Sequence, residues 1–349
     1  MAATKSSFNF PNALLSWFDI HGRKNLPWQH PLEPYRVWLS EVMLQQTQVE
    51  TVIPYFHQFV TQYPNIHALA SANLDDVLHL WTGLGYYARA RNLHACAQAI
   101  STQYRGIFPS NIETLKSLPG IGPSTAAAIA SIAFEQPTAI LDGNVKRVLT
   151  RFHAINEWPG TAPVHNKLWD LAQQHMPTKR CRDYTQAIMD LGATLCKRSK
   201  PDCERCPMVS QCQAYKLGTP TAFPVKKASK TKPTKHIQML VIKNTEQYIL
   251  LEQRPTLGIW GGLWSLPELA TDIDAAKHVQ KTYGKAKQHA DLDEITHVFS
   301  HYTLKIQPRV FTINKPRNEI MESVQILWYN PHAPQKVGLA APVKKLLMS

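Results

Sequence analysis

A chain of 349 residues, 44% of them hydrophobic, is long enough for two domains that each bury a core. The net charge of +13 suits a polyanionic partner, and no uninterrupted apolar run is long enough to span a bilayer, so a membrane-spanning protein is excluded. Residues 1–10 are polar and end at Pro11 without an apolar stretch, so no export signal is expected and the chain is expected to be soluble and cytoplasmic.

Reading from the N-terminus, apolar residues recur at helical spacing in 13–18, 37–59, 74–81 and 168–175, and no strand-like alternation intervenes. Pro27, Pro54, Pro64, Pro109, Pro119, Pro163 and Pro177 punctuate these runs. Residues 1–225 therefore predict an all-α region, carrying a charge of +5. The stretch 226–235 adds +5 with no acidic residue, and 226–236 reads as a solvated basic linker. Beyond it, strand patterns at 237–242, 248–253, 295–299, 303–312 and 326–329, with helical patterns at 273–283 and 340–348, predict an α+β domain over 237–349.

Within the all-α region, residues 112–134 predict a helix ending at Leu118, a Pro119-Gly120-Ile121-Gly122 turn, and an Ala-rich helix opened by Pro123. Two glycines at a helix N-terminus turn backbone N–H groups outward, a site for a backbone phosphate that reads no base sequence. Asn144 is placed to cap a helix from Val145, leaving Asp142 in the preceding loop, where the amides of the helix start keep a carboxylate ionised.

Glu41 lies among Trp38, Leu39, Val42 and Leu44. Periodicity alone favours a side chain that snorkels to water; if it is buried instead, desolvation raises its pKa and makes it a general acid. Cys196, Cys203, Cys206 and Cys212 crowd into seventeen residues as Cys-x6-Cys-x2-Cys-x5-Cys, a four-thiolate set for zinc or an iron–sulfur cluster. The six-residue first gap fits zinc poorly, and it displays Lys197, Arg198 and Lys200. Cys96 and Cys181 read as ordinary buried thiols.

The hairpin followed by Asp142 resembles the helix-hairpin-helix DNA glycosylases, in which an Asp at this place acts at the deoxyribose being cleaved. The cysteine spacing resembles the [4Fe–4S] motif of the endonuclease III-like members. Strand-nicking members carry a lysine just after the hairpin where this chain has Ser124, so the resemblance implies hydrolysis without a Schiff base, and Lys146 is left at most a side reaction with the abasic product. Ser40-Glu-Val-Met-Leu-Gln-Gln-Thr47, with Gly22-Arg-Lys-Asn-Leu-Pro-Trp28 and Gly83-Leu-Gly-Tyr-Tyr-Ala-Arg-Ala-Arg-Asn92, closely resembles the adenine DNA glycosylases.

That resemblance implies that Glu41 protonates an extruded adenine, Asp142 faces the oxocarbenium charge and Asn144 positions the carboxylate or the water. It also implies that Lys24, Trp28, Leu44 and Gln186 line the adenine pocket. Gln46, Thr47, Leu84 and Tyr86 would wedge into the duplex, and Gly120, Gly122 and Ser124 would grip its phosphates. Gln253-Arg-Pro through Leu266-Pro267 resembles a Nudix domain, but no Glu-rich metal box follows, which implies a binding domain. In it Phe299, Ser300 and His301 match the loop that reads 8-oxoguanine. The implied protein is monomeric and acts on double-stranded DNA holding adenine opposite 8-oxoguanine or G, associated with the bacterial nucleoid. A glycosylase-lyase of oxidised pyrimidines, or a non-catalytic lesion binder, are the rival readings.

Overall fold

The computed structural model describes residues 8–227, 231–314 and 325–348; of the expected linker, residues 228–230 lie outside the described residues. In chain order it contains α1 (Phe10–His21), α2 (Pro34–Leu44), α3 (Val49–Gln62), α4 (Ile66–Ala70), α5 (Leu74–Leu80), α6 (Ala88–Gln103), α7 (Ile112–Ser117), α8 (Pro123–Phe134), α9 (Gly143–Phe152), α10 (Ala162–His175), α11 (Cys181–Asp190) and α12 (Gln213–Lys216). A π-helical turn, Leu191–Leu195, extends α11, and a 3-10 turn covers Pro220–Ala222. There follow β1 (Thr234–Lys243), β2 (Ile249–Gln253), β3 (Trp264–Ser265), β4 (Glu268–Leu269), α13 (Ala275–Thr282), β5 (Ala286–Gln288), β6 (Ile295–Val298), β7 (Thr303–Ile313), β8 (Ile326–Tyr329) and α14 (Ala341–Leu347). An all-helical part followed by an α+β part is the predicted order of classes.

Two expectations need correction. The helical run predicted over 37–59 is two helices, because Gln45-Gln-Thr-Gln48 offers no apolar residue and Gln46 adopts a left-handed backbone at φ 59°. Pro54 lies inside α3 rather than ending a helix; early in that helix it forfeits a single backbone donor.

Packing divides the described chain into two compact units: residues 8–70 with 95–227, and residues 71–94 with 231–348. In the first, α1, α8, α9, α10 and α11 close over a core that includes Leu14, Phe18, Ile140, Leu149, Leu168 and Ile188. Arg151, on α9, is buried at 2% exposure. Its guanidinium donates to the carbonyls of Phe223, Lys197 and Arg198 at 2.8–3.0 Å, so the charge is fully solvated by backbone.

Helix α9 is pinned at both ends. Asp142 caps its N-terminus, and at its C-terminus His153 Nε2 meets His175 Nε2 of α10 at 2.9 Å, with the rings stacked. Phe10 stacks on His175 and Phe152 meets it edge-on.

In the second unit the sheet runs β3-β2-β1-β7-β5, with β1 and β7 parallel over ten residues and the other pairs antiparallel. The two long strands are the ones with alternating or continuous apolar character, while β3, β4 and β5 are too short to carry a period. Residues 71–94 pack with this sheet: Tyr87 donates to Leu339 O at 2.9 Å, and Trp264 Nε1 donates to Asp75 at 3.3 Å.

Burial lowers the pKa of both histidines of the α9–α10 pair, and repulsion from His153 helps push His175 down to about 4, with Lys167 facing His153. The folded state therefore binds fewer protons than the unfolded chain, whose imidazoles titrate near 6.5. Stability from this pair is complete above pH 6.5 and lost as pH falls toward 4. Urea melts at about pH 7.5 and 5 should show the loss, and His175→Asn should flatten it; an unchanged slope in that variant would contradict the neutral pair.

Candidate active site

A cavity of 740 Å³ opens wholly within the first unit, a size suited to one nucleoside. It gathers Trp28 from the loop before α2, Glu41 and Leu44 from α2, Thr47 from the 45–48 break, Ser124 from α8, Asp142 and Asn144 from the start of α9, and Gln186 from α11. Residues distant in sequence thus face one space.

Glu41 extends from the buried face of α2, next to Ser40, Val42 and Met43. Its carboxyl does not snorkel to water. It is enclosed by protein with one side facing the cavity, and burial first, then repulsion from Asp142, pushes its pKa up to about 7. At neutral pH a substantial fraction of Glu41 is protonated.

Asp142 corrects the sequence reading. It is itself the N-cap of α9, accepting from the Val145 N–H at 2.7 Å, and Asn144 lies inside the first turn. Asp outranks an interior Asn here because its carboxylate, placed one residue before Gly143, reaches the orphan amide of the third helical residue. Asn144 instead donates Nδ2 to the other carboxylate oxygen at 3.0 Å. The expectation of a freely ionised loop carboxylate also needs revision: burial raises the Asp142 pKa, opposed by the Val145 and Asn144 donors and by Arg147.

Arg147 completes a hydrogen-bonded chain. It donates to Asn144 Oδ1 at 2.8 Å, to Gly192 O at 2.6 Å and to Cys196 O at 2.7 Å. Gly192 sits in the π-helical turn, where a Cβ would come within 2.6 Å of the Asn144 Cβ. The extra residue of that turn and the missing side chain together let the backbone approach Asn144.

Ser124 Oγ accepts the Leu141 N–H at 3.1 Å, so it supports the strand of chain that presents Asp142. In the hairpin only Gly120, at φ 75°, uses a left-handed backbone; Gly122 is extended, and a Cβ there would meet nothing within 4 Å. Both glycines are exposed, and the first amides of α8 beside them have no partner within the helix.

Lys24 is not in the cavity. Its ammonium donates to Asp19 O at 2.6 Å on the surface, and the preceding Arg23 lines the cavity instead. The motif gave no basis for choosing between adjacent cations; the buried Asp190, which holds Arg23 at 2.7 Å, makes the choice. Gln45, Arg147, Lys197 and Arg198 also line the cavity and were not singled out as pocket residues. Gln46 is exposed outside it.

None of the four clustered cysteines forms a disulfide. Burial raises the pKa of Cys203, Cys206 and Cys212, pushing Cys206 up to about 12, and the nearby Cys196 adds to the rise in all three. Arg151 donates to the Cys196 sulfur at 3.2 Å. Among the described residues no group of three His, Cys, Asp or Glu side chains stands in metal-ligating geometry, so the four thiols are candidate ligands by their spacing and by the buried Arg151 beside Cys196. Lys197 and Arg198, directly after Cys196, reach the cavity rim. Cys96 and Cys181 are buried, as expected.

In the second unit Leu84 is buried at 5% exposure while Tyr86 is exposed at 54% with φ 49°, so Tyr86 is the ring this turn offers outward. Arg89 stacks beneath it and holds the turn through Leu84 O. Phe299, Ser300 and His301 form the tip between β6 and β7, closed by the Phe299 N–H to Tyr302 O at 2.9 Å. Phe299 is wedged among His297, Tyr302 and Trp260, whereas Ser300 and His301 are exposed.

Residues 39–174 match the model of the HhH-GPD superfamily of base excision DNA repair proteins, and residues 238–349 match the NUDIX domain. An adenine DNA glycosylase of Buchnera aphidicola subsp. Baizongia pistaciae is 40% identical, over 97% of this chain and 95% of its own. The chain belongs to the adenine DNA glycosylase family. The Rattus norvegicus member is 37% identical over 85% of this chain and 69% of its own. Among solved structures, a thermostable thymine-DNA glycosylase aligns with TM-score 0.55 and 28% identity, covering 60% of this chain and 95% of that one. Endonuclease III in a non-covalent DNA complex shares the fold at TM-score 0.52.

Gly192→Ala tests the approach at the π-helical turn. It should push Asn144 off Asp142, destabilise the protein by about 1–3 kcal/mol and slow any reaction that uses the cavity. A variant with unchanged melting temperature and unchanged single-turnover rate would show that Asn144 needs no such fit.

Proposed function

We propose that this protein hydrolyses the N-glycosidic bond of adenine mispaired with 8-oxoguanine, and of adenine opposite G as a lesser substrate. The observation that supports this reading is the convergence of Glu41 and Asp142 on one nucleoside-sized cavity. Extruding a mispaired base costs on the order of a few kcal/mol, and Thr47 at the cavity edge is the candidate to fill the gap.

Within the cavity, Glu41 holds its proton near neutrality and delivers it to a ring nitrogen of adenine, which turns a poor leaving group into a good one. Positive charge then develops on the deoxyribose. Asp142, fixed by Val145 and Asn144, supplies the opposing charge. Ser124, which has no amine, leaves this position without a Schiff-base nucleophile, so water completes the reaction.

Cys196, Cys203, Cys206 and Cys212 would hold a [4Fe–4S] cluster, whose chemistry here is to neutralise four thiolates and fix the loop carrying Lys197 and Arg198. Those two cations and the amides after Gly122 suit backbone phosphates of double-stranded DNA. Phe299, Ser300 and His301 suit the lesion, with Phe299 supplying shape and the exposed Ser300 and His301 supplying hydrogen bonds.

Single-turnover assays on duplexes with adenine opposite 8-oxoguanine, G or T should give fastest release opposite 8-oxoguanine, with no strand nick before alkali. Glu41→Gln and Asp142→Asn should each lower release by at least about a hundredfold while leaving duplex binding intact. Because the protonated form of Glu41 is the active one, the rate should fall as pH rises through about 7. Adenine release by Glu41→Gln at the unmutated rate would remove Glu41 from the chemistry.

The cysteine assignment has its own readout. The purified chain should contain about four iron and four inorganic sulfide per molecule. One equivalent of zinc in their place would contradict it.

A further inference from the structure

We infer that Asp190 sets base specificity by fixing which end of the Gln186 amide faces the cavity. The inference rests on the reading of the cavity as an adenine pocket and deepens it.

Asp190, the last residue of α11, is completely buried. A carboxylate only accepts hydrogen bonds, and both oxygens are committed. Oδ2 accepts the Arg23 backbone N–H at 2.7 Å, and Oδ1 accepts Arg23 Nε at 2.9 Å and Nη2 at 2.7 Å. Three bonds from one residue, two of them from a planar guanidinium, prevent the carboxylate from rotating. The remaining donor on Oδ1 is Gln186 Nε2, at 2.8 Å, one helical turn earlier on α11.

This geometry decides the amide orientation. Were Gln186 reversed, its Oε1 would lie against a buried carboxylate, acceptor facing acceptor. With Nε2 held, Oε1 is the acceptor that the amide has to offer, and Gln186 lines the cavity together with Glu41 and Asp142. Adenine carries an amino donor at the ring position where guanine carries a carbonyl acceptor. A fixed acceptor welcomes the first and is left unpaired, acceptor to acceptor, by the second. Arg23, which also lines the cavity, acts in this device as the clamp on Asp190.

Asp190 is thus a positioning residue, and the rival explanation is that it merely braces Arg23 against α11. Base selectivity separates the two. Single-turnover release is measured with the full-length protein on two duplexes, one carrying adenine and one carrying unsubstituted purine, which lacks the amino group, each opposite 8-oxoguanine. In Asp190→Asn the new carboxamide can donate to Gln186, freeing the amide to turn. The adenine-to-purine rate ratio should then fall by about tenfold. Gln186→Met leaves the Arg23–Asp190 pair in place and so keeps the fold; it should lose the same ratio, and the double variant should lose no more.

If Asp190→Asn slows both bases by one factor, or Gln186→Met keeps the full ratio, the inference is overturned. If the unmutated protein releases adenine from no duplex, the adenine reading itself fails, an outcome distinct from a ratio that survives substitution.

Discussion

Two half-buried carboxyl groups beside one cavity repel each other, and the cap and donors at the start of α9 answer that repulsion on one side only. Neither side chain would sit there for stability's sake, because burial disfavours the charged form of each and proximity disfavours both being charged. The protein treats them unequally. Asp142 receives a backbone amide, a side-chain amide and a nearby guanidinium, while Glu41 is pushed to about 7 by its surroundings. Burial raises the pKa of both, but only Asp142 has donors that favour its charged form.

Helix α9 carries that asymmetry outward. Its first turn holds Asp142 and Asn144, its next turns present Arg147 and Arg151 to the cysteine loop, and His153 ends it against α10. A displacement of the loop at Cys196 would therefore be felt at Asn144 through a single side chain, Arg147. The same loop delivers Lys197 and Arg198 to the cavity rim. Fixing the cysteines and fixing the cavity are mechanically one task.

Much of this was legible in the amino-acid sequence, and what was not has physical reasons. Long periodic segments such as α10 and β7 declare themselves, and the Pro119-Gly120 turn declares the hairpin. The division of 37–59 into two helices was hidden because a break of four polar residues keeps the apolar phase on either side. Choosing Asn144 over Asp142 as the cap failed because both residue types cap well and their separation is only two positions. Lys24 and Arg23 are chemically alike in a motif; Asp190, 167 residues away, distinguishes them. The packing of residues 71–94 with the C-terminal sheet leaves no trace in local periodicity, since it depends on partners such as Leu339. The cavity residues that the motifs did name converge because each motif is a fragment of one surface, separated by the helices that hold it.

The titration of Glu41 carries the most weight. Following its carboxyl by isotope-edited infrared or carbon NMR in the folded protein should give a pKa near 7, falling when Asp142→Asn removes the neighbouring charge. A value near 4.5, the ordinary one for glutamate, that is indifferent to Asp142 would mean that the two groups do not share a buried space.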